Sequence, residues 1–164
     1  MVCNKLDLQP GDKVLDIGCG RGGFARYAAE SRGCHVTGIS ISKEQIAYAR
    51  DFTAGLGVDI IESDYRDLPR LYDAKHFDKI VIIDMLEHVG CRNYRRLFHI
   101  VNQMLSDHGL FLLHTIGNST DTTVVDPWIE KYIFRNSMAP SMAQLVMSKR
   151  GHGRNVFGRV NLLS

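Results

Sequence analysis

The sequence predicts a doubly wound α/β domain on a parallel sheet, and three observations predict it. Short apolar runs alternate with segments of helical spacing along most of the chain. A glycine-rich stretch closes the first run and opens the first helix. The run Ile80-Val81-Ile82-Ile83 is apolar at every position, as a strand covered on both faces has to be. Taken in order, residues 14–17 read as a buried strand after the Pro10-Gly11-Asp12 turn, and residues 24–31 as a helix. Residues 35–39 give a second strand. Ser42, with Gln45 three residues on, forms a capping box for a helix that ends near Gly55-Leu56-Gly57. Residues 58–61 and 77–83 are the third and fourth strands, and residues 92–105 a helix with Leu97, Ile100, Val101, Met104 and Leu105 at core-facing spacing. The Asp107-His108-Gly109 turn leads to a fifth strand over residues 110–114. In such a sheet ligands bind beyond the carboxyl ends of the strands, so functional residues are expected after each strand.

Composition narrows the classes. A chain of 164 residues with 45% hydrophobic content buries one ordinary core. The formal net charge of +2 sets up no global field of the kind that draws nucleic acid, and no nucleic-acid partner is expected. The four cysteines, Cys3, Cys19, Cys34 and Cys91, show no C-x-x-C spacing, which points to free thiols rather than a zinc site or redox pair; no metal is expected. The amino terminus carries no apolar signal core, and no run approaches the roughly 18 apolar residues of a spanning helix, so contact with lipid is expected to be peripheral.

The most informative loop is Asp16-Ile17-Gly18-Cys19-Gly20-Arg21-Gly22-Gly23. Its glycines let backbone approach a ligand that a Cβ would repel. Gly18, Gly20 and Gly23 also fit the dinucleotide fingerprint G-x-G-x-x-G. That fingerprint wants an acid about 20 residues further on for the ribose, whereas the second strand ends in Gly38-Ile39-Ser40. The acid stands before the glycines instead, as Asp16, and the loop resembles motif I of class I methyltransferases, which bind S-adenosylmethionine.

Further motifs occur in order: Leu8-Gln9-Pro10-Gly11, the stretch from Gly38 to Gln45, Asp64-Tyr65-Arg66-Asp67, Glu87-His88-Val89-Gly90, His114-Thr115-Ile116-Gly117 and Asp126-Pro127-Trp128-Ile129. Together, from about Lys5 to about Gln144, the chain resembles the cyclopropane-fatty-acyl-phospholipid synthases and the related mycolic acid cyclopropane synthases. The resemblance implies a cytoplasmic enzyme, peripheral to the inner membrane face. Its expected reaction transfers a methylene from S-adenosylmethionine to cis double bonds of phospholipid acyl chains at the bilayer surface.

Site residues follow from the same resemblance. Val14, Asp16, Gly18, Cys19, Gly20 and Gly22 correspond to the segment lining the methionine half of the cofactor. Ser40, Ile41, Ser42 and Gln45 fall beside the ribose, where a hydroxyl and an amide can replace the missing acid; Gln45 has the alternative role of helix cap. Asp64, Tyr65 and Arg66 fall beside the adenine, with Asp64 as an acceptor for its amino group or as part of a polar turn. The catalytic set comprises Glu87 and His114, which correspond to side chains holding a bicarbonate ion that acts as base, with Ile83 and Ile116 near its backbone contacts. The bland readings are a helix-terminal acid for Glu87 and a core histidine for His114. His88 reads as structural.

The chain departs from the family at Asp84, where glycine is usual, at Leu86, where phenylalanine is usual, and at Arg21, where tryptophan is common. The expected architecture is the Rossmann-like sheet of a class I methyltransferase with about five strands in place and the last two of the usual seven missing. Residues 1–146 are expected to form the cofactor-binding core, and residues 147–164 a basic, glycine-containing, disordered tail. An open sheet edge beside residues 110–114 predicts self-association. Family segments on both sides have no counterpart here, which leaves a truncated, non-catalytic remnant as the second reading and a small-molecule methyltransferase as the third.

Overall fold

The computed structural model describes residues 1–115. The first helix, α1 (Val2–Lys5), precedes β1 (Lys13–Ile17), α2 (Gly23–Arg32), β2 (His35–Ser40), α3 (Lys43–Phe52) and β3 (Val58–Glu62). A 3-10 turn (Tyr65–Asp67) leads into α4 (Leu68–Leu71) and β4 (Phe77–Ile83). Two more such turns (Leu86–His88 and Cys91–Asn93) precede α5 (Tyr94–Met104) and β5 (Leu105–His114).

The strands form one sheet in the order β3-β2-β1-β4-β5, with every neighbouring pair parallel. Alternation along each strand sends successive side chains to opposite faces. Leu15, Ile17, Ile80, Ile82, Phe111 and Leu113 pack with the apolar stripe of α5, Leu97, Phe98, Ile100, Val101 and Met104, and with Leu68 of α4. On the other face Val14, Val36, Val81 and Leu112 meet Ala25 and Ala28 of α2 and Cys3 of α1. Ile46 and Ala49 of α3 pack with Cys19 and Ile60. Helices therefore cover both faces, and the sheet is doubly wound as expected. Gly38 in β2 has a packing reason: a Cβ there would come within 2.8 Å of Ile60 and 2.9 Å of Cys19.

Several elements differ from expectation: α1 was not foreseen, and α3 stops at Phe52, short of Gly55. Helix α5 ends at Met104, and β5 begins at once with Leu105, so Asp107-His108-Gly109 lies inside the strand. Phe77 pairs with Leu105 and Lys79 with Leu110; two steps along β4 thus face five along β5, and the surplus bulges out. Gly109 sits at the bulge because a Cβ would meet the Asp78 carbonyl at 2.7 Å. The short α4 was not foreseen; Pro69 in its first turn needs no amide partner there. The expected tail, the Asp126-Pro127-Trp128-Ile129 motif and whatever adjoins the far side of β5 lie outside the described residues.

Candidate functional site

β1 lies where the strand order turns back, with β2 on one side and β4 on the other, and the carboxyl ends of these strands diverge to leave a crevice. The loop after β1 enters it through Gly18 (φ 82°), Gly20 (φ 55°) and Gly22 (φ 80°), all left-handed. The amides of Gly18 and Cys19 both donate to the Ile39 carbonyl, at 2.9 and 3.0 Å, which ties the loop to the end of β2. A Cβ on Gly18 would strike Met85 at 2.6 Å, whereas one on Gly20 would meet nothing within 4 Å. Gly20 therefore presents bare backbone to an open cleft.

That cleft has a volume of about 570 Å³. Its walls include Gly18, Gly20, Ser40, Ile41, Ser42, Gln45, Asp64, Tyr65, Arg66 and Ile83 from the sequence-predicted set. A second cavity, of about 490 Å³, lies at the amino end of β1 between Pro10, Cys3 and Arg32, away from the ends where the fold places ligands.

On the β2 side, the buried Ser40 hydroxyl donates to Gln45 Oε1 at 3.3 Å and accepts the Ser42 amide at 3.2 Å. The Ser42 hydroxyl accepts the Gln45 amide at 3.4 Å. The expected capping box is thus half formed: the Gln45 side chain turns to Ser40 on the cleft wall, not back to the Ser42 amide. Ile41, 74% exposed, forms the rim. On the β3 side, Asp64 accepts the Arg66 amide at 2.8 Å and both Nε and a terminal nitrogen of the Arg66 guanidinium, at 2.8 and 2.6 Å. The Arg66 guanidinium holds the Asp64 carboxyl below the usual carboxylate range. Asp64 therefore caps its own turn, the second of its two expected roles, while still lining the cleft. The half-buried Tyr65 ring packs against the core with the guanidinium 5.9 Å from its centroid.

Four predicted residues sit behind the cleft. Val14 is fully buried, three positions back along β1, in the core beneath α2. Cys19 packs with α3, and burial and then the nearby Asp16 push its thiol up to about 12. Gly22 starts α2, and a Cβ there would press on Thr53 at 3.2 Å and Ala49 at 3.3 Å, so its smallness serves helix packing. Asp16 is 2% exposed, and burial alone raises its carboxyl to about 7.

The second predicted set falls at the ends of β4 and β5. Glu87, in the 3-10 turn Leu86–His88, is 3% exposed and accepts the Thr115 hydroxyl at 2.6 Å. His114 Nδ1 lies 3.1 Å from Asp84 Oδ1, and the Asp84 amide donates to the His114 carbonyl at 3.0 Å. Neither Glu87 nor His114 lines the cleft, although Asp84 does. Ile116 lies outside the described residues. Among the described residues, these groups hold no open place for the bicarbonate that the resemblance implies: Glu87 accepts the Thr115 hydroxyl away from the cleft, and His114 Nδ1 already meets the Asp84 carboxylate.

Sequence reasoning missed Ile17, Ile39, Ser63, Met85, Val89 and Asn93 as cleft residues, and it read His88 as structural although it lines the wall. For Ile17, Ile39, Ser63 and Met85 the signal was position, at or just past a strand end, whereas Val89 and Asn93 lie in the turns that lead into α5. Among the described residues no group of His, Cys, Asp or Glu is placed to hold a metal ion, and no helix is long and apolar enough to cross a membrane.

Comparison with known proteins adds chemistry to this geometry. The family described as mycolic acid cyclopropane synthetase matches residues 1–162. The cyclopropane-fatty-acyl-phospholipid synthase of Escherichia coli (strain K12) is 47% identical over 152 residues, covering 93% of this chain and 38% of the relative. Sphingolipid C9-methyltransferase A of Emericella nidulans is 37% identical over 158 residues, covering 91% of this chain and 30% of its own. The chain thus spans well under half the length of the curated relatives it matches. Among solved structures, the cyclopropane synthase MmaA2 from Mycobacterium tuberculosis superposes with a TM-score of 0.77 at 26% identity, over 92% of this chain and 57% of that one. The mycolic acid cyclopropane synthase CmaA1, solved with SAH and CTAB, does so with a TM-score of 0.75 at 26% identity, over 92% and 57%.

Proposed function

We propose, since the chain belongs to the mycolic acid cyclopropane synthetase family, that it is the cofactor-binding core of an S-adenosylmethionine-dependent enzyme. Its reaction is methylene transfer to cis double bonds of unsaturated phospholipid acyl chains, performed from the cytoplasmic side at the membrane surface. The observation that carries the cofactor reading is the end of β2. A dinucleotide site presents an acid to the ribose there; this cleft presents the uncharged Ser40–Gln45 pair, which can donate to and accept from ribose hydroxyls. Bare backbone at Gly20 leaves room for the methionine half, and the Tyr65 ring offers a face to adenine. S-adenosylmethionine supplies an electrophilic methyl on a sulfonium.

The acceptor reading rests on the relatives. The relative at 47% identity is named for a fatty-acyl phospholipid, two at 37% for a sphingolipid and one at 36% for a fatty acid. The test is incubation of the chain with methyl-labelled S-adenosylmethionine and vesicles of unsaturated phospholipid, of fully saturated phospholipid or of sphingolipid. Label in cyclopropane product from unsaturated vesicles alone is expected; label in sphingolipid or in saturated lipid instead overturns the acceptor. The short span relative to the family supports a second reading, a core that binds the cofactor without turnover. Binding with no transfer to any lipid selects it.

A further inference from the structure

We propose that Asp84, oriented by His114, is the base that closes the cyclopropane ring in this chain, in the place a bound anion would otherwise take; the inference rests on the methylene-transfer reading above. The Asp84 side chain is 49% exposed and lines the cleft between Ile83 and Met85. It is held at two points by one residue: its backbone amide donates to the His114 carbonyl at 3.0 Å, and its carboxylate takes His114 Nδ1 at 3.1 Å. The backbone at Asp84 has φ 50°, a left-handed conformation that an L side chain adopts at a cost. Asp7 and Lys75 share this conformation elsewhere, but Asp84 alone of the three lines the cleft, and the two-point clamp fixes its carboxylate there.

Of the two carboxylates near the end of β4, Asp84 alone reaches the cleft; Glu87 is 3% exposed and bonded to Thr115. The carboxylate also answers the electrostatics. A second anion docking on His114 would have to approach Asp84, which repels it, whereas the cationic sulfonium and the carbocation that follows are attracted.

The step balances without a further reagent. The alkene π pair attacks the sulfonium methyl; the carbon–sulfur bond breaks, its pair stays on sulfur as a neutral thioether, and the distal alkene carbon becomes cationic. The Asp84 carboxylate takes one proton from the new methyl, and the released C–H pair forms the third ring bond to the cationic carbon. The proton then leaves to water from the half-exposed Asp84, while the Nδ1–H of His114 orients the carboxylate.

The test compares the full chain and its Asp84→Asn and Asp84→Gly variants in carbon-dioxide-free buffer with and without added bicarbonate. Cofactor affinity, turnover and product identity are measured together with the ¹⁵N spectrum of the His114 ring. Turnover of the unmodified chain is expected to ignore bicarbonate. Asp84→Asn is expected to lose cyclopropane formation at least 100-fold, well beyond any loss of cofactor affinity, and its residual product to shift toward a methyl-branched alkene, a partition that a merely structural defect would not produce. Asp84→Gly is expected to regain turnover when bicarbonate is added. Bicarbonate-dependent turnover of the unmodified chain, or unchanged products in Asp84→Asn, overturns the assignment. Should the unmodified chain and both variants all transfer no methylene, the methylene-transfer reading fails and this assignment with it; where the unmodified chain does transfer, His114 resonances that move with bicarbonate in that chain overturn the assignment alone, and resonances that move only in Asp84→Gly support it.

Discussion

Replacing Gly18 by alanine tests whether the loop after β1 is held by steric necessity or merely tolerates its glycines. Two costs add at this position. The residue has φ 82°, where alanine is strained by about 1–2 kcal/mol. Its Cβ would also stand 2.6 Å from Met85 Cγ and 2.9 Å from Met85 Cβ, atoms near the backbone that cannot swing clear, and overpacking of this kind costs about 1–3 kcal/mol. The sum is about 2–5 kcal/mol, a large share of a small domain's stability. Gly11→Ala is the control, because Gly11 has φ 85° with nothing within 4 Å of a Cβ and so isolates the backbone term. Urea unfolding followed by circular dichroism is expected to rank Gly18→Ala below Gly11→Ala by about 1–3 kcal/mol, with part of that difference, the share owed to Met85 Cγ, recovered when Met85→Ala is added to Gly18→Ala. Equal midpoints for the two alanine variants, or no recovery with Met85→Ala, would refute the steric account.

Three further outcomes follow from buried groups and the open cleft. Asp16, raised to about 7 by burial, binds its proton in the folded chain at pH values where the unfolded chain has lost it; its contribution is full below about pH 4 and is lost as pH rises through about 7. Stability of the chain relative to Asp16→Asn should therefore fall by roughly 3–5 kcal/mol across that window in paired denaturation curves, and parallel curves would contradict it. The Tyr94 hydroxyl is buried with no hydrogen-bond partner among the described residues, so Tyr94→Phe is expected to be neutral or to stabilise by about 1 kcal/mol, read from the thermal midpoint. Thr115→Val removes the donor to buried Glu87 and is expected to cost about 2–3 kcal/mol while leaving cofactor affinity within a few fold; a tenfold affinity loss would put this pair in the binding site.

Much of the fold was legible because parallel strands covered on both faces leave a dense apolar record: β4 has the bounds read from its sequence, and β1, β2 and β3 differ by a residue at most at either end. Residues 105–109 were misread for a physical reason. Asp-His-Gly has the same local chemistry in a turn as in a bulge, and what decides between them is pairing with β4, which local pattern does not carry. At the site, Gly18, Gly20, Ser40 and Gln45 were legible from spacing and resemblance. Their partners were not, because Gln45 chose Ser40 over the Ser42 amide through a rotamer, and Asp64 was claimed by a neighbour two residues away. Asp84 was visible as a departure, but that it leans on His114 depends on register between β4 and β5.

The central claim is that the cleft at the carboxyl ends of β1, β2 and β3 is built for S-adenosylmethionine. Calorimetric titration of the purified chain with S-adenosylmethionine and, separately, with NAD, repeated on Gly20→Val, tests it most directly. Gly20 has φ 55° and faces open space, so valine there would thrust a branched side chain into the cleft. The account predicts binding of S-adenosylmethionine alone, weakened about tenfold or more by Gly20→Val. Binding of NAD, or S-adenosylmethionine affinity unchanged by Gly20→Val, would contradict it.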